Sequence, residues 1–196
     1  MNKQDLEKIA QAMMTDGQGI LAADESTGTI TKRFDTINTA STADSRRDYR
    51  EMLLRTQDAM TQNISGVILY DETLRQTAAD GTPLTELMLA AGAFPGIKVD
   101  TGAKDLAGHP GEMVTEGLDG LRERLHGYHG LGARFAKWRA VLNITDSLPS
   151  QACITANSHD LFDTINTNLD SDFDGVLNFL DVDADNDGIY DLSEFG

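Results

Sequence analysis

Four short apolar runs dictate what this chain can fold into: GILAADES (19–26), SGVILYDET (65–73), GIKVDTG (96–102) and ARFAKWRAV (133–141). Each is bounded by glycine or polar turn residues, the pattern of strands buried on both faces of a parallel sheet. Segments of helical period fill the gaps. SRRDYREMLLRT (45–56) places Tyr49, Met52 and Leu53 on one face and charge on the other. LTELMLAAG (84–92) follows, then TEGLDGLRERLHGYHGLG (115–132), with Leu118, Leu121 and Leu125 at i, i+3 and i+7. Near the start Leu6, Ile9 and Met13 recur at helical spacing, and Pro149 opens a further helix, PSQACITANSHDLFDTIN. Strand and helix alternate four times, which predicts an α/β fold with a parallel sheet.

Every strand ends in polar residues: Asp24 and Glu25, Asp71 and Glu72, Lys98 and Asp100, Lys137 and Arg139. Residues i and i+2 of a strand share a face, so Lys98 with Asp100, and Lys137 with Arg139, are expected to point the same way. The carboxyl ends of parallel strands are where α/β barrels build active sites. Strand-end charge that simply reaches solvent is the plainer reading of the same pattern.

Charge divides the chain. Residues 1–159 hold all 16 basic side chains and 21 of the 32 acidic ones, whereas residues 160–196 hold 11 acidic side chains and no basic one. The break near residue 160 is the expected boundary between a body, 1–159, and a tail, 160–196. A net charge of −16 offers no footprint for nucleic acid and is repelled by anionic membranes. Cys153 is the only cysteine, so an internal disulfide is excluded, as suits a reducing compartment. Charges interrupt the N-terminal segment where a secretion signal would be apolar, and no run approaches the length of a membrane span. A soluble, cytoplasmic protein is expected. The four histidines, His109, His126, His129 and His159, read as surface loop and helix residues, and Trp138 reads as core.

GILAADESTGTITKRFDTI, RRDYREMLLRT, ISGVILYDETL, PGIKVDTGAKDLAG, GEMVTEGLDGLRERL and LGARFAKWRAV closely resemble class I fructose-bisphosphate aldolase, in the family's order and near its spacing, over about residues 1–159. The resemblance implies a (β/α)8 TIM barrel that cleaves fructose 1,6-bisphosphate into two triose phosphates through a lysine Schiff base, with no metal or other cofactor in this part. Residue by residue, it implies that Asp24 is the aspartate beside the Schiff-base lysine. Lys98 matches a lysine contacting substrate hydroxyls and phosphate, and Lys137 a lysine near the imine. Arg139 matches an arginine lining the same site, and Ser26 a serine near a sugar-phosphate group. Four β/α units are expected here, a partial barrel. The family's two fifth-strand glutamates, its sixth-strand Schiff-base lysine and its later phosphate loops have no counterpart, so a chain truncated before its nucleophile and inactive alone is expected. Open barrel edges make a homo-oligomer the expected assembly.

The tail poses a different chemistry. The calcium-loop pattern D-x-[DN]-x-[DN]-G-x5-E is met in full by Asp183, Asp185, Asp187, Gly188, the carbonyl of Ile189, Asp191 and Glu194. Asp170, Asp172, Asp174, Gly175, the carbonyl of Val176, Asn178 and Asp181 meet it except for aspartate in the last place. Carboxylate oxygens suit calcium over zinc or copper. The loops follow one another too closely for EF-hand helices, and the tandem better resembles the aspartate repeats of thrombospondin type 3 and related bacterial surface proteins. Such repeats usually lie outside cells, which argues against the cytoplasmic expectation; a solvated tail is the plain alternative. Three readings of function result: an aldolase-type sugar-phosphate enzyme or its degenerate remnant, a calcium-binding structural or interaction protein using the half-barrel as scaffold, and a truncated or recombined sequence with no evolved joint function.

Overall fold

The computed structural model of the chain describes residues 3–168. In chain order the elements are α1 (Lys3–Met13), β1 (Gly19–Ala23), α2 (Thr27–Asp35), α3 (Ala43–Leu54), α4 (Gln57–Asn63), β2 (Ile64–Leu69), α5 (Asp71–Leu74), α6 (Leu84–Ala90), β3 (Phe94–Lys98), β4 (Gly102–Asp105), β5 (Met113–Glu116), α7 (Leu121–Gly130), β6 (Phe135–Lys137) and α8 (Gln151–Asn168). The chain divides into two compact units. Among the described residues, one comprises Lys3–Lys98 and Gly127–Lys137; the other comprises Val99–His126 and residues 138–168.

The first unit holds a four-stranded parallel sheet in the order β1-β2-β3-β6. All four strands arise from the four apolar runs, because β-branched and apolar side chains are what a strand covered on both faces requires. Val67 and Leu69 of β2 and Ile97 of β3 are buried, together with Ile30 and Phe34 of α2, Leu54 of α3, Met60 of α4 and Leu84 and Met88 of α6. The middle of the sheet is pinned by one aromatic ring. Phe135 of β6 lies across Gly66 and Gly96, and a Cβ on Gly96 would fall 2.2 Å from the ring. In α1, Leu6, Ile9 and Met13 are half-buried, as their spacing predicts.

Helix α3 is turned relative to its predicted face. Arg50 and Leu54 are buried, whereas Met52 is 59% exposed. The reason is electrostatic. Acceptors beyond β1 and β2 compensate part of the cost of burying a guanidinium here, and a charged residue occupies the inner face where periodicity alone would place methionine.

The second unit contains an antiparallel hairpin, β4 with β5, against which α8 packs. The hairpin replaces the first part of the helix expected over 115–132. Residues Met113–Glu116 are strand, the backbone turns at Gly117 (φ +136°) and Gly120 (φ +59°), and the helix starts at Leu121, leaving Leu118 in the loop. Gly117 is required there: a Cβ would lie 2.9 Å from the Thr101 nitrogen and 3.0 Å from the Val99 oxygen. The start of α8 is fastened to the hairpin turn. Ser150 Oγ accepts from the Cys153 N–H (3.2 Å), and the Ser150 N–H donates to Glu112 (2.6 Å). Ser150 also contacts His109 Nδ1 at 3.4 Å, and Cys153 is fully buried. Helix α8 continues through residue 160, so the change in composition falls inside it.

Candidate active site

The site forms where the strands of the sheet end. Parallel register sets Ala23 beside Leu69, Leu69 beside Ile97, and Lys98 beside Lys137. Lys98 and Lys137 are therefore neighbours at the final position of adjacent strands, and Asp24 leaves the sheet directly after β1. Lys137 Nζ donates to Asp24 Oδ2 at 2.9 Å, with both side chains partly buried. The pair joins the two outermost strands of the sheet, three inter-strand steps apart, about 14 Å along a flat sheet. Side chains standing upright on a flat sheet would not meet across that span. The strands must curl so that these two groups lean together over the inner face, as barrel strands do.

Ser26 belongs to the same strand exit. It caps α2: Ser26 Oγ accepts from the Thr29 N–H at 3.3 Å and lies 3.1 Å from Thr29 Oγ1. The cap fixes the hydroxyl at the first turn of a helix, where the backbone dipole is positive.

A second layer of charge lies behind these groups, and sequence reasoning missed it. Glu25 pairs with Arg33 of α2. Glu72, just past β2, accepts a forked contact from Arg46: Nε to Oε2 at 2.9 Å and Nη2 to Oε1 at 2.6 Å. These hydrogen bonds hold the Glu72 carboxyl below the usual carboxylate range and raise the pKa of Arg46. Arg50, one helical turn beyond Arg46, is 1% exposed; it donates to the Glu25 carbonyl at 2.7 Å and lies 3.6 Å from Glu72 Oε2. Burial pushes the Arg50 pKa down, while Glu72 and Glu25 oppose that shift. The signal was present in RRDYR, which sets two arginines at i and i+4, with acids waiting after both neighbouring strands.

Arg139 differs from the others. Strand β6 ends at Lys137, so the rule that i and i+2 share a face stops short of Arg139, which is exposed and belongs to the second unit. Its carbonyl accepts from Thr115 Oγ1 at 2.7 Å. Asp100, expected to share a face with Lys98, likewise lies beyond the end of β3 and is buried. Asp170, Asp172, Asp174, Val176, Asn178, Asp181, Asp183, Asp185, Asp187, Ile189, Asp191 and Glu194 lie outside the described residues. Among the described residues, no group of three or more His, Cys, Asp or Glu side chains is placed to hold a metal ion.

The family model for class I fructose-bisphosphate aldolase, described as glycolytic, matches residues 5–165, a stretch containing every strand-end residue named above. The chain belongs to the class I fructose-bisphosphate aldolase family. Among aldolase relatives, the probable fructose-bisphosphate aldolase class 1 of Xanthomonas axonopodis pv. citri is 57% identical over 161 residues, covering 82% of this chain and 48% of that protein. The cytosolic fructose-bisphosphate aldolase 6 of Arabidopsis thaliana is 53% identical over 147 residues, covering 75% of this chain and 41% of that protein. The solved Plasmodium falciparum aldolase superposes with a TM-score of 0.78 at 40% identity, over 84% of this chain and 48% of its own. The chain thus spans about half the length of the aldolases it matches. No helix among the described residues is long and apolar enough to cross a membrane.

Proposed function

We propose that the carboxyl ends of β1, β3 and β6 form part of an aldolase-type sugar-phosphate site, and that these 196 residues alone bind fructose 1,6-bisphosphate or a triose phosphate without cleaving it. The observation that carries this reading is the Lys137–Asp24 ion pair beside the register-matched Lys98. Two ammoniums at adjacent strand ends suit an anionic, hydroxylated ligand, and Asp24 is the acceptor that keeps Lys137 directed inward. Lys98 is read as the phosphate and hydroxyl contact, Lys137 as the cation near the reacting carbons, Asp24 as the carboxylate serving carbon–carbon cleavage, and Ser26 as a phosphate-facing hydroxyl. Arg139 enters this set through its sequence match.

Cleavage needs an amine at the carbonyl and groups to move protons. The residues that the family resemblance gives those tasks, a sixth-strand lysine and two fifth-strand glutamates, have no counterpart here, and no lysine follows Lys137. We read the four parallel strands as part of an eight-stranded barrel, with β1 and β6 as the edges where further strands would pair. Alone, those edges favour self-association. A coupled triose-phosphate assay on the purified chain tests the catalytic part. Turnover at the uncatalysed rate is expected; robust turnover abolished by Lys98→Ala or Lys137→Ala would contradict it.

The tail supports a separate reading. Two loop patterns starting at Asp170 and Asp183 fit a hard, oxygen-seeking cation, and calcium is the ion they suit. Calorimetric titration should show about two sites, the second weakened by Asp187→Ala; a titration without heat would remove this reading.

A further inference from the structure

We infer that Arg50 is a positioning residue, which locks the exits of β1 and β2 together and thereby sets where Asp24 stands. The inference rests on the reading of Asp24 as a site residue. A charged side chain that is 1% exposed calls for a reason. Stability is a poor one, because a guanidinium taken out of water loses more hydration than a well-packed apolar side chain would. Two of its nitrogens, Nε and Nη1, make no hydrogen bond, so the cost is not fully offset.

What the side chain does provide is geometry. Its strongest contact, 2.7 Å, is to the backbone carbonyl of Glu25, the residue between Asp24 and Ser26. Its other contact, at 3.6 Å, is to the Glu72 carboxylate beyond the next strand. Glu72 is itself gripped by Arg46, and the Glu25 side chain by Arg33. One rigid planar fork therefore ties two neighbouring strand exits to the same helix. Displacement of the Glu25 backbone, which would carry the adjoining Asp24 with it, breaks the 2.7 Å bond.

The experiment compares wild type, Arg50→Met and Arg50→Lys by amide hydrogen exchange and by fructose 1,6-bisphosphate affinity, alone and combined with Asp24→Asn. In Arg50→Met, exchange at Glu25–Gly28 should rise by about tenfold or more while Gly96–Lys98 is unchanged, because the opening is local. Affinity should fall by at least about tenfold. Asp24→Asn should add nothing in that background, since a mispositioned carboxylate no longer contributes. Arg50→Lys, which retains the charge and a donor, should restore part of both effects. Uniform acceleration across the sheet, or an Asp24→Asn effect that is fully additive, would overturn the proposal. Should wild type bind no sugar phosphate, the functional reading fails, and the exchange pattern still decides the role of Arg50. If Arg50→Met does not fold, Glu72→Gln replaces it and should produce the same local pattern at smaller amplitude.

Discussion

Two carboxylates, half-buried Glu72 in one unit and buried Glu112 in the other, are satisfied by different partners. Glu72 follows β2 of the parallel sheet and is held by side chains, the guanidinium of Arg46 and the nearby Arg50. Glu112 sits in the turn of the hairpin and is held chiefly by the start of a helix, the hydroxyl and N–H of Ser150, with His109 Nδ1 3.5 Å from its other oxygen. Both sites hold their carboxyl below the ordinary range. The difference lies in what the charge is used for. At Glu112 the acid completes a helix start with one oxygen and faces His109 with the other. At Glu72 the acid belongs to a network of ion pairs behind the polar strand ends, where charge is arranged around a concave sheet. A lowered carboxylate pKa alone therefore does not mark a site: guanidiniums produce it at Glu72 and a helix start produces it at Glu112.

The comparison is broken most severely at Arg50. Arg50→Met leaves the Glu25 carbonyl without its donor while Glu72 keeps Arg46, so amide exchange at Glu25–Gly28 should rise by about tenfold or more with little change in the urea midpoint. Gly96→Ala comes next. The new Cβ must push the Phe135 ring off the sheet, and roughly 1–3 kcal/mol of stability should be lost. Glu112→Gln should cost less than Gly96→Ala and act locally, shown by faster amide exchange in the first turn of α8 with β2 and β3 unaffected.

Acid sharpens the contrast. The folded pKa of Glu72 and of Glu112 is lower than in the unfolded chain, so each contributes stability that is complete above the ordinary carboxylate range and is lost as pH falls through the depressed value. Urea midpoints measured downward from neutral pH should therefore fall. Glu72→Gln should flatten that fall more than Glu112→Gln, because Glu72 faces two guanidiniums whereas Glu112 is held chiefly by the neutral donors of Ser150. The smallest effect is expected at the sheet edge. Ile20 of β1 is 49% exposed, so Ile20→Ser should change stability by about 0.5 kcal/mol or less and reduce self-association measured by light scattering.

The strands and their polar exits were legible because buried parallel strands need unbroken apolar runs, and a run that ends in Asp24, Lys98 or Lys137 announces its exit. The hairpin was hidden because GAKD and MVTE are short, and β5 is ended by a positive φ at Gly117 that only tertiary crowding explains. The leucine spacing at 118, 121 and 125 therefore described a helix longer than the one that forms. The inner face of α3 was misread for a related reason: periodicity counts apolar residues and cannot see that Glu25 and Glu72 make a guanidinium acceptable inside. Arg139 matched its family motif, yet the strand that would have oriented it stops two residues earlier.

The most direct test of the strand-end site is a calorimetric titration of the purified chain with fructose 1,6-bisphosphate, repeated for Lys98→Ala and for Lys104→Ala. Lys98 ends β3 beside Lys137, whereas Lys104 is an exposed lysine of the hairpin. Saturable binding is expected in wild type, weakened by about tenfold or more in Lys98→Ala, the loss of one charge-assisted contact to phosphate, and unchanged in Lys104→Ala. Equal weakening by both substitutions, or no saturable binding in wild type, would contradict a sugar-phosphate site at the ends of β1, β3 and β6.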